Sequence, residues 1–328
     1  MKRILKLIVI VVVGLLVLAL AKDQILRTVI SGTATAVTGA PVKIKVFSLS
    51  LLKQSVLIKD FKMYNPAGFP KEVFVDIPQI EVGLDVGALL TKKIHLKKVT
   101  LDLNELVVIK NKEGKLNVDA LKVSEMPEKP AKEAPQKETP KKPAAQMPLQ
   151  IDELNLNLGR VIYKDYTAGD PPKVDAYEIN IKNKQYKNLT SVDQLVLVIL
   201  SEPLKHTAIQ GAKIFAAQAI LGVGFLPAGV AMTLIGKDSS RQAFDIPYAT
   251  IYDKTLSFLQ GMTDRATIKK ENKETGIISA LVDKNDVTIK MEKLTDRSTQ
   301  VTVSARRLLM PKPEVAQGLL YQISEKLK

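Results

Sequence analysis

Hydrophobic and polar positions change pattern several times along this chain. Lys2, Arg3 and Lys6 precede an almost unbroken apolar run from Leu7 to Ala21, whose greasy surface comes from Leu7, Ile8, Val9, Ile10, Val11, Val12, Val13, Leu15, Leu16, Val17 and Leu18. A run of this kind with its basic end first predicts a transmembrane helix over residues 1–22 with the N-terminus in the cytoplasm. At about 1.5 Å per residue it covers about 22–27 Å, short of the roughly 30 Å hydrocarbon core by an amount a bilayer absorbs. Ala19-Leu20-Ala21 also fits a signal peptidase site, so a retained anchor and a cleaved signal are both open. Either way the chain from Lys22 onward is exported.

Residues 23–38 read as a helix that Gly39-Ala40-Pro41 ends. Strands come next. Ile44 and Val46 alternate with Lys43 and Lys45; Ile80, Val82 and Leu84 alternate with Glu81 and Gly83; Leu101 and Leu103 alternate with Thr100, Asp102 and Asn104. Each strand has one apolar face, as in an antiparallel sheet covered on a single side. The apolar parity switches near Pro78-Gln79, Lys97-Lys98 and Glu105, which predicts bulges and hence a curled sheet.

Residues 124–148 carry prolines among Lys and Glu with scarcely any large apolar side chain, and form a solvated linker. Alternation resumes with Leu154, Leu156 and Leu158, then Val161 and Tyr163, then Tyr177, Ile179 and Ile181. The expectation is one discontinuous β domain in two parts, 23–123 and 149–202. From Pro203 the period turns helical, with Leu204, Ala208, Ala212 and Phe215 on one face of a segment that runs to 236. Within it, 219–236 is apolar throughout but interrupted by Gly222, Gly224, Pro227 and Gly229. It can span a membrane, lie on or re-enter one, or pack as a helical hairpin on the β domain; if it spans, the C-terminal part is cytoplasmic. Residues 237–328 read as a compact two-layer α+β sandwich. A strand near 241–246, a helix Tyr248–Gln260, strands near 265–271, 276–283, 286–294 and 299–305, and a last helix opened by Pro311 and Pro313 compose it. The fold class is therefore mainly β with an α+β C-terminal part.

Composition narrows the chemistry. The chain has no cysteine, which removes disulfides, thiolate metal sites and acylation on cysteine. Its formal charge of +14 is spread along the sequence and favours anionic lipid head groups or other envelope polyanions as partners. Nucleic acid fits poorly, because aromatics are few and the basic residues form no stripe. Of the 2 histidines, His95 falls on the wet side of a strand and His206 opens a helix, neither among evident partners. Ser50-Leu51-Leu52-Lys53 matches S-x-x-K in form, but the companion K-T-G is missing. No metal-ligand set, G-x-S-x-G elbow or phosphate loop is present. The expectation is a non-enzymatic protein without cofactor or metal.

Several short motifs occur in order: Thr38-Gly39-Ala40-Pro41-Val42, Phe47-Ser48-Leu49-Ser50-Leu51, Ile58-Lys59-Asp60-Phe61, Asn65-Pro66-Ala67-Gly68-Phe69, Val86-Gly87-Ala88-Leu89-Leu90 and Asn111-Lys112-Glu113-Gly114-Lys115-Leu116-Asn117. With the apolar N-terminus, this set over about residues 1–220 resembles the AsmA family of bacterial envelope proteins, relatives of chorein-like lipid-transfer grooves. The resemblance implies a curled β groove anchored in the inner membrane by a single pass, with the bulk of the chain in the periplasm, binding phospholipid or another anionic envelope lipid and working with other envelope proteins. Candidate groove liners are Ile80, Val82, Leu84, Leu101, Leu103, Leu154, Leu156 and Leu158. Read from the residues alone, the same side chains can instead pack a closed core, which leaves a structural or adaptor protein as the alternative. The C-terminal part, through Tyr252-Asp253-Lys254-Thr255-Leu256, Val287-Thr288-Ile289-Lys290 and Thr299-Gln300-Val301-Thr302-Val303, resembles small uncharacterised bacterial envelope domains. In those, the comparable last strand leads into a glycine-bearing turn; here Arg306-Arg307-Leu308-Leu309 stands instead.

Overall fold

The computed structural model describes residues 23–91, 93–122, 149–209 and 239–327. Helix α1 covers residues 23–38 and stops as the sequence predicts, with Gly39 at φ +73° and its N–H bonded to the Thr35 carbonyl at 2.9 Å. Strands β1 (Val42–Ser50), β2 (Ser55–Tyr64), β3 (Val73–Leu84), β4 (Ile94–Lys110), β5 (Leu149–Asp165) and β6 (Lys173–Leu189) form one sheet in that order. A short helix α2 (Val86–Leu90) joins β3 to β4. Both strand sets thus share a sheet, which does not close into a barrel. Neighbours are antiparallel except β4 and β5, which run parallel with Ile94 beside Leu149 and Lys110 beside Asp165. That corrects the all-antiparallel expectation. The stretch between them, 38 residues from 111 to 148 in the sequence, is long enough to return the chain to the starting edge, as a parallel crossover requires.

The parity switches near Pro78 and Glu105 belong to one feature that crosses the whole sheet. Pairing lapses at Lys45 opposite Asp60, at Asp60 opposite Pro78, around Leu103-Asn104 and at Gly159, and resumes in the same register, so no bulge stands at Pro78 or Glu105. Only between β5 and β6, around Gly159 and Asn180, does the register shift. Asp60 and Asn180 take φ of 52° and 50° there. The inward face passes from Ile58 to Met63 on β2, from Ile77 to Ile80 on β3, from Leu103 to Leu106 on β4 and from Leu158 to Val161 on β5. A Cβ on Gly159 would lie 2.3 Å from the Asn104 carbonyl oxygen, so only glycine lets these two strands approach at the crease. On β1 the same crease turns Val46 outward, 42% exposed, and Phe47 inward, against the simple alternation expected of Ile44 and Val46. The third switch, at Lys97-Lys98, is a separate register shift opposite Gly83 and Leu84.

Helix α3 is Val192–Leu204, beginning within the stretch that the sequence assigns to the β domain. The run Leu195-Val196-Leu197-Val198-Ile199-Leu200 is apolar at every position and carries no period, so local capping decides. Ser191 accepts from the Gln194 N–H at 3.1 Å, and the Gln194 side chain reaches back to the Thr190 N–H at 2.8 Å. Helix α1 and helix α3 lie on the same apolar face of the sheet as the core around Phe74, Leu106, Leu154 and Leu156. Full burial of each such side chain contributes about 1.5–3 kcal/mol.

The C-terminal unit follows its predicted elements closely. Strands β7 (Ser239–Phe244), β8 (Ala266–Asn272), β9 (Ile277–Val282), β10 (Asn285–Lys293), β11 (Thr299–Arg307) and β12 (Met310–Pro311) form a second sheet, ordered β12-β11-β10-β9-β8 with β7 also on β11. Helices α4 (Tyr248–Gln260) and α5 (Pro313–Leu327) cover one face. Helix α5 also packs against the outer face of the first sheet, where Tyr321 meets Val107, Ile109, Ile162, Val174 and Ala176. Among the described residues no helix is long and apolar enough to cross a membrane. The predicted anchor at 1–22, the linker at 124–148 and the apolar stretch at 219–236 lie outside them.

Candidate functional site

An apolar cleft of 310 Å³ separates α1 from α3 over the inner face of the first sheet. Its floor is Ile58, Phe61 and Met63 of β2, Val75, Ile77, Ile80 and Val82 of β3, and Leu96, Val99 and Leu101 of β4. Ile30, Ala34, Val37 and Thr38 form one wall; Val192, Leu195, Val196, Ile199 and Leu200 form the other. Thr38 offers the cleft no hydrogen bond, because its hydroxyl donates to the Ala34 carbonyl at 2.8 Å and accepts from the Ala40 N–H at 3.2 Å. Val192 is 43% exposed at one end, where Val82 and Leu96 are only half-buried, so the cleft reaches solvent at the sheet end that carries the β1–β2 turn. Apart from the internally bonded Thr38 hydroxyl, the lining is hydrocarbon on every side.

The sequence-predicted liners divide. Ile80, Val82 and Leu101 stand on the cleft floor. Leu84 lies one strand position beyond it, half-buried at the start of the turn into α2. Leu103, Leu154, Leu156 and Leu158 are at most 3% exposed and packed in the core with Leu197, Leu200 and Leu204 of α3. The α1 and α3 walls were missed; both are apolar, but nothing local in the sequence says that two helices separated by the whole sheet face each other across it.

Two larger hollows have different chemistry. One of 620 Å³ at the seam with the C-terminal unit is lined by Lys71, Glu72, Lys164, Glu325 and Lys326 among others, with Lys164 and Glu72 paired at 2.5 Å. Another, of 500 Å³, lies over the crease among Pro78, Asn104, Asn157, Gly159 and Asn180. Among the described residues no cluster of His, Asp and Glu is arranged to hold a metal ion.

Both histidines, expected to stand apart from partners, have acidic neighbours. His95 lies between Asp85 (Nδ1 to Oδ2, 3.4 Å) and Asp152 (Nε2 to Oδ2, 2.8 Å), because the parallel β4–β5 pairing sets His95 beside Gln150. Both carboxyls are held below their usual range, Asp85 chiefly by the Ala88 N–H and Asp152 chiefly by the His95 hydrogen bond. His206 lies 3.5 Å from Glu202, which is 1% exposed and also bonded by the Tyr186 hydroxyl and by Lys205 at 3.0 Å. Burial alone would raise the Glu202 pKa, but the adjacent His206, the hydrogen bonds from Tyr186 and Lys205 and the Lys205 charge outweigh it and hold the carboxyl at about 2. Among the described residues no hydroxyl or thiol is hydrogen-bonded to either histidine.

The described architecture is an open, creased β sheet that carries a helix-walled apolar cleft on its inner face. The chain belongs to the AsmA family, whose model matches residues 1–193, and it is thereby an envelope-associated protein. A search of the curated proteins found no match. The motif asparagines that mark the resemblance tie the sheet together. Asn117, fully buried, donates to Asn65 Oδ1 at 2.7 Å and to the Val107 carbonyl at 2.9 Å, and accepts from the Ile109 and Val118 N–H groups at 3.0 and 2.9 Å. Asn65 in turn donates to the Pro70 carbonyl at 2.9 Å.

Proposed function

We propose that this protein is a non-enzymatic lipid-binding component of the bacterial envelope that shelters an acyl chain in the cleft between α1 and α3 and so supports outer-envelope biogenesis or lipid movement between membranes. The N-terminal apolar segment tethers it in the inner membrane with the N-terminus in the cytoplasm and the bulk of the chain in the periplasm. The observation that carries this reading is the wholly apolar lining of the cleft. Its 310 Å³ falls at the lower end of the roughly 300–1,000 Å³ of ligand pockets, which suits one chain and leaves the head group in water. Each sheltered CH₂ contributes about 0.8 kcal/mol. The tether also suits the geometry. Asp23, the first described residue, accepts from the Leu49 N–H at 3.1 Å, which sets the start of α1 beside the β1–β2 turn, at the sheet end where the cleft opens.

Ala34→Trp and Val196→Trp would fill the cleft from opposite walls. Full-length wild type purified from its membranes should carry lipid detectable by mass spectrometry, and both variants should lose it while keeping the wild-type circular dichroism spectrum. Wild type without lipid, or variants that retain it, would count against the proposal. The adaptor reading rests on the tight packing of Leu154, Leu156 and Leu158, which closes the remainder of the apolar face. It expects the tryptophan variants to behave as wild type in envelope function.

A further inference from the structure

The β11–β12 hairpin turns through Leu308 and Leu309, with φ of 48° and 68°. A two-residue turn with both central residues left-handed ordinarily takes Asn-Gly or a similar pair, since a branched side chain is strained there. Here the side chains are also 85% and 89% exposed, and Met310 beside them is 59% exposed. Three consecutive large apolar residues thus stand out at a tip that local conformational preference would fill with polar or glycine residues. The chain bears the strain and gains no burial of its own from it, which directs attention to something outside it.

The flanks say what that is. Arg306 and Arg307 precede the turn, paired with Pro311 and Met310 across the hairpin, and Lys312 comes after it. Two carboxylates lie among these cations, Asp286 opposite Arg306 and 2.6 Å from Lys269, and Glu314 3.5 Å from Lys312, so Arg306, Arg307, Lys269 and Lys312 outnumber them and the flank is net positive. An apolar point ringed by cations matches the boundary between head groups and acyl chains in an anionic bilayer, and suits a polar protein surface poorly. From this we infer that the β11–β12 hairpin is a membrane-contacting tip that sinks Leu308 and Leu309 into an anionic phospholipid surface while Arg307 and the net positive charge of the flank attract its head groups. The site is distinct from the cleft and holds whether or not the cleft binds a chain.

The chain contains no tryptophan, so Leu309→Trp places a single reporter at the tip. The full-length variant is to be placed in phosphatidylcholine nanodiscs and mixed with vesicles of brominated phosphatidylglycerol, and in a second arm held in nanodiscs that contain the brominated lipid. Emission that shifts to the blue and is quenched in either arm, and far less so with brominated phosphatidylcholine, is the expected result. Emission unchanged in both arms, as a protein-docking role for the tip would give, or equal quenching by the neutral lipid, would overturn the inference. A second pair of variants guards against a misfolded reporter. Leu308→Asn/Leu309→Gly suits the turn geometry and should reduce co-sedimentation with phosphatidylglycerol vesicles by roughly tenfold or more, and Arg307→Glu should weaken it in the same direction. Undiminished sedimentation of both would sink the proposal equally.

Discussion

Glu202 shows what a single buried charge does in this molecule. Its carboxyl, 1% exposed on the last turn of α3, collects Tyr186 and Lys184 from β6 and Lys205 and His206 from the turn after the helix, and so fastens the end of α3 to the sheet edge. Because its folded pKa is about 2, below the ordinary 4.5, the stabilisation is complete above about pH 4.5 and is lost as pH falls through 2. Glu202→Gln should therefore be less stable than wild type at pH 7 by roughly 2–3 kcal/mol, in denaturant titrations, with the gap closing between about pH 4.5 and pH 2. A gap that persists unchanged at pH 2 would show that the charge is not its source. Asn117 is the neutral counterpart, with its side-chain oxygen and nitrogen each bonded twice.

Between elements, the closest constraint is where α5 crosses β6. A Cβ on Gly318 would lie 2.0 Å from the Val174 carbonyl oxygen and 3.0 Å from the Asp175 Cα, both backbone atoms that cannot step aside. Gly318→Ala should push α5 off the first sheet at a cost of about 1–3 kcal/mol, read as faster amide exchange along residues 174–178 while β9 and β10 stay protected. Unaltered exchange would contradict the docking.

Elements are also the scale at which sequence patterns carry furthest. One-faced strands and the Tyr248–Gln260 and Pro313–Leu327 helices were legible because each writes its own period. The phase slips at Pro78 and Glu105 were legible too, but not as the bulges they suggested, since the strands keep their register there. Their alignment into one crease was not, since it depends on register between strands. The parallel β4–β5 pair, with the His95–Asp152 contact it creates, is hidden for the same reason: neither strand records the direction of its neighbour. Helix α3 was hidden by an apolar run without period. Of the candidate liners, Ile80, Val82 and Leu101 stand in the cleft, whereas Leu154 and Leu156, equally apolar and on the same face, lie under α3, whose start no local period announces.

The molecule as a whole has two distinct ends. The start of α1, the β1–β2 turn with Leu52 fully exposed, and the Val192 end of the cleft share one; Val174, Ile109 and the docked C-terminal unit occupy the other. Strand β4 alone, 17 residues at about 3.3 Å each, runs roughly 55 Å between them. In the proposed arrangement the tether delivers the cleft to the surface of one membrane and the sheet holds the C-terminal unit away from it. The most direct test puts a photoreactive amino acid at Val82, on the cleft floor, and at Leu156, fully buried outside it, in the full-length protein in cells. Illumination should give a phospholipid adduct at Val82 and none at Leu156. No adduct at Val82, or equal adducts at both positions, would contradict a lipid chain held in this cleft.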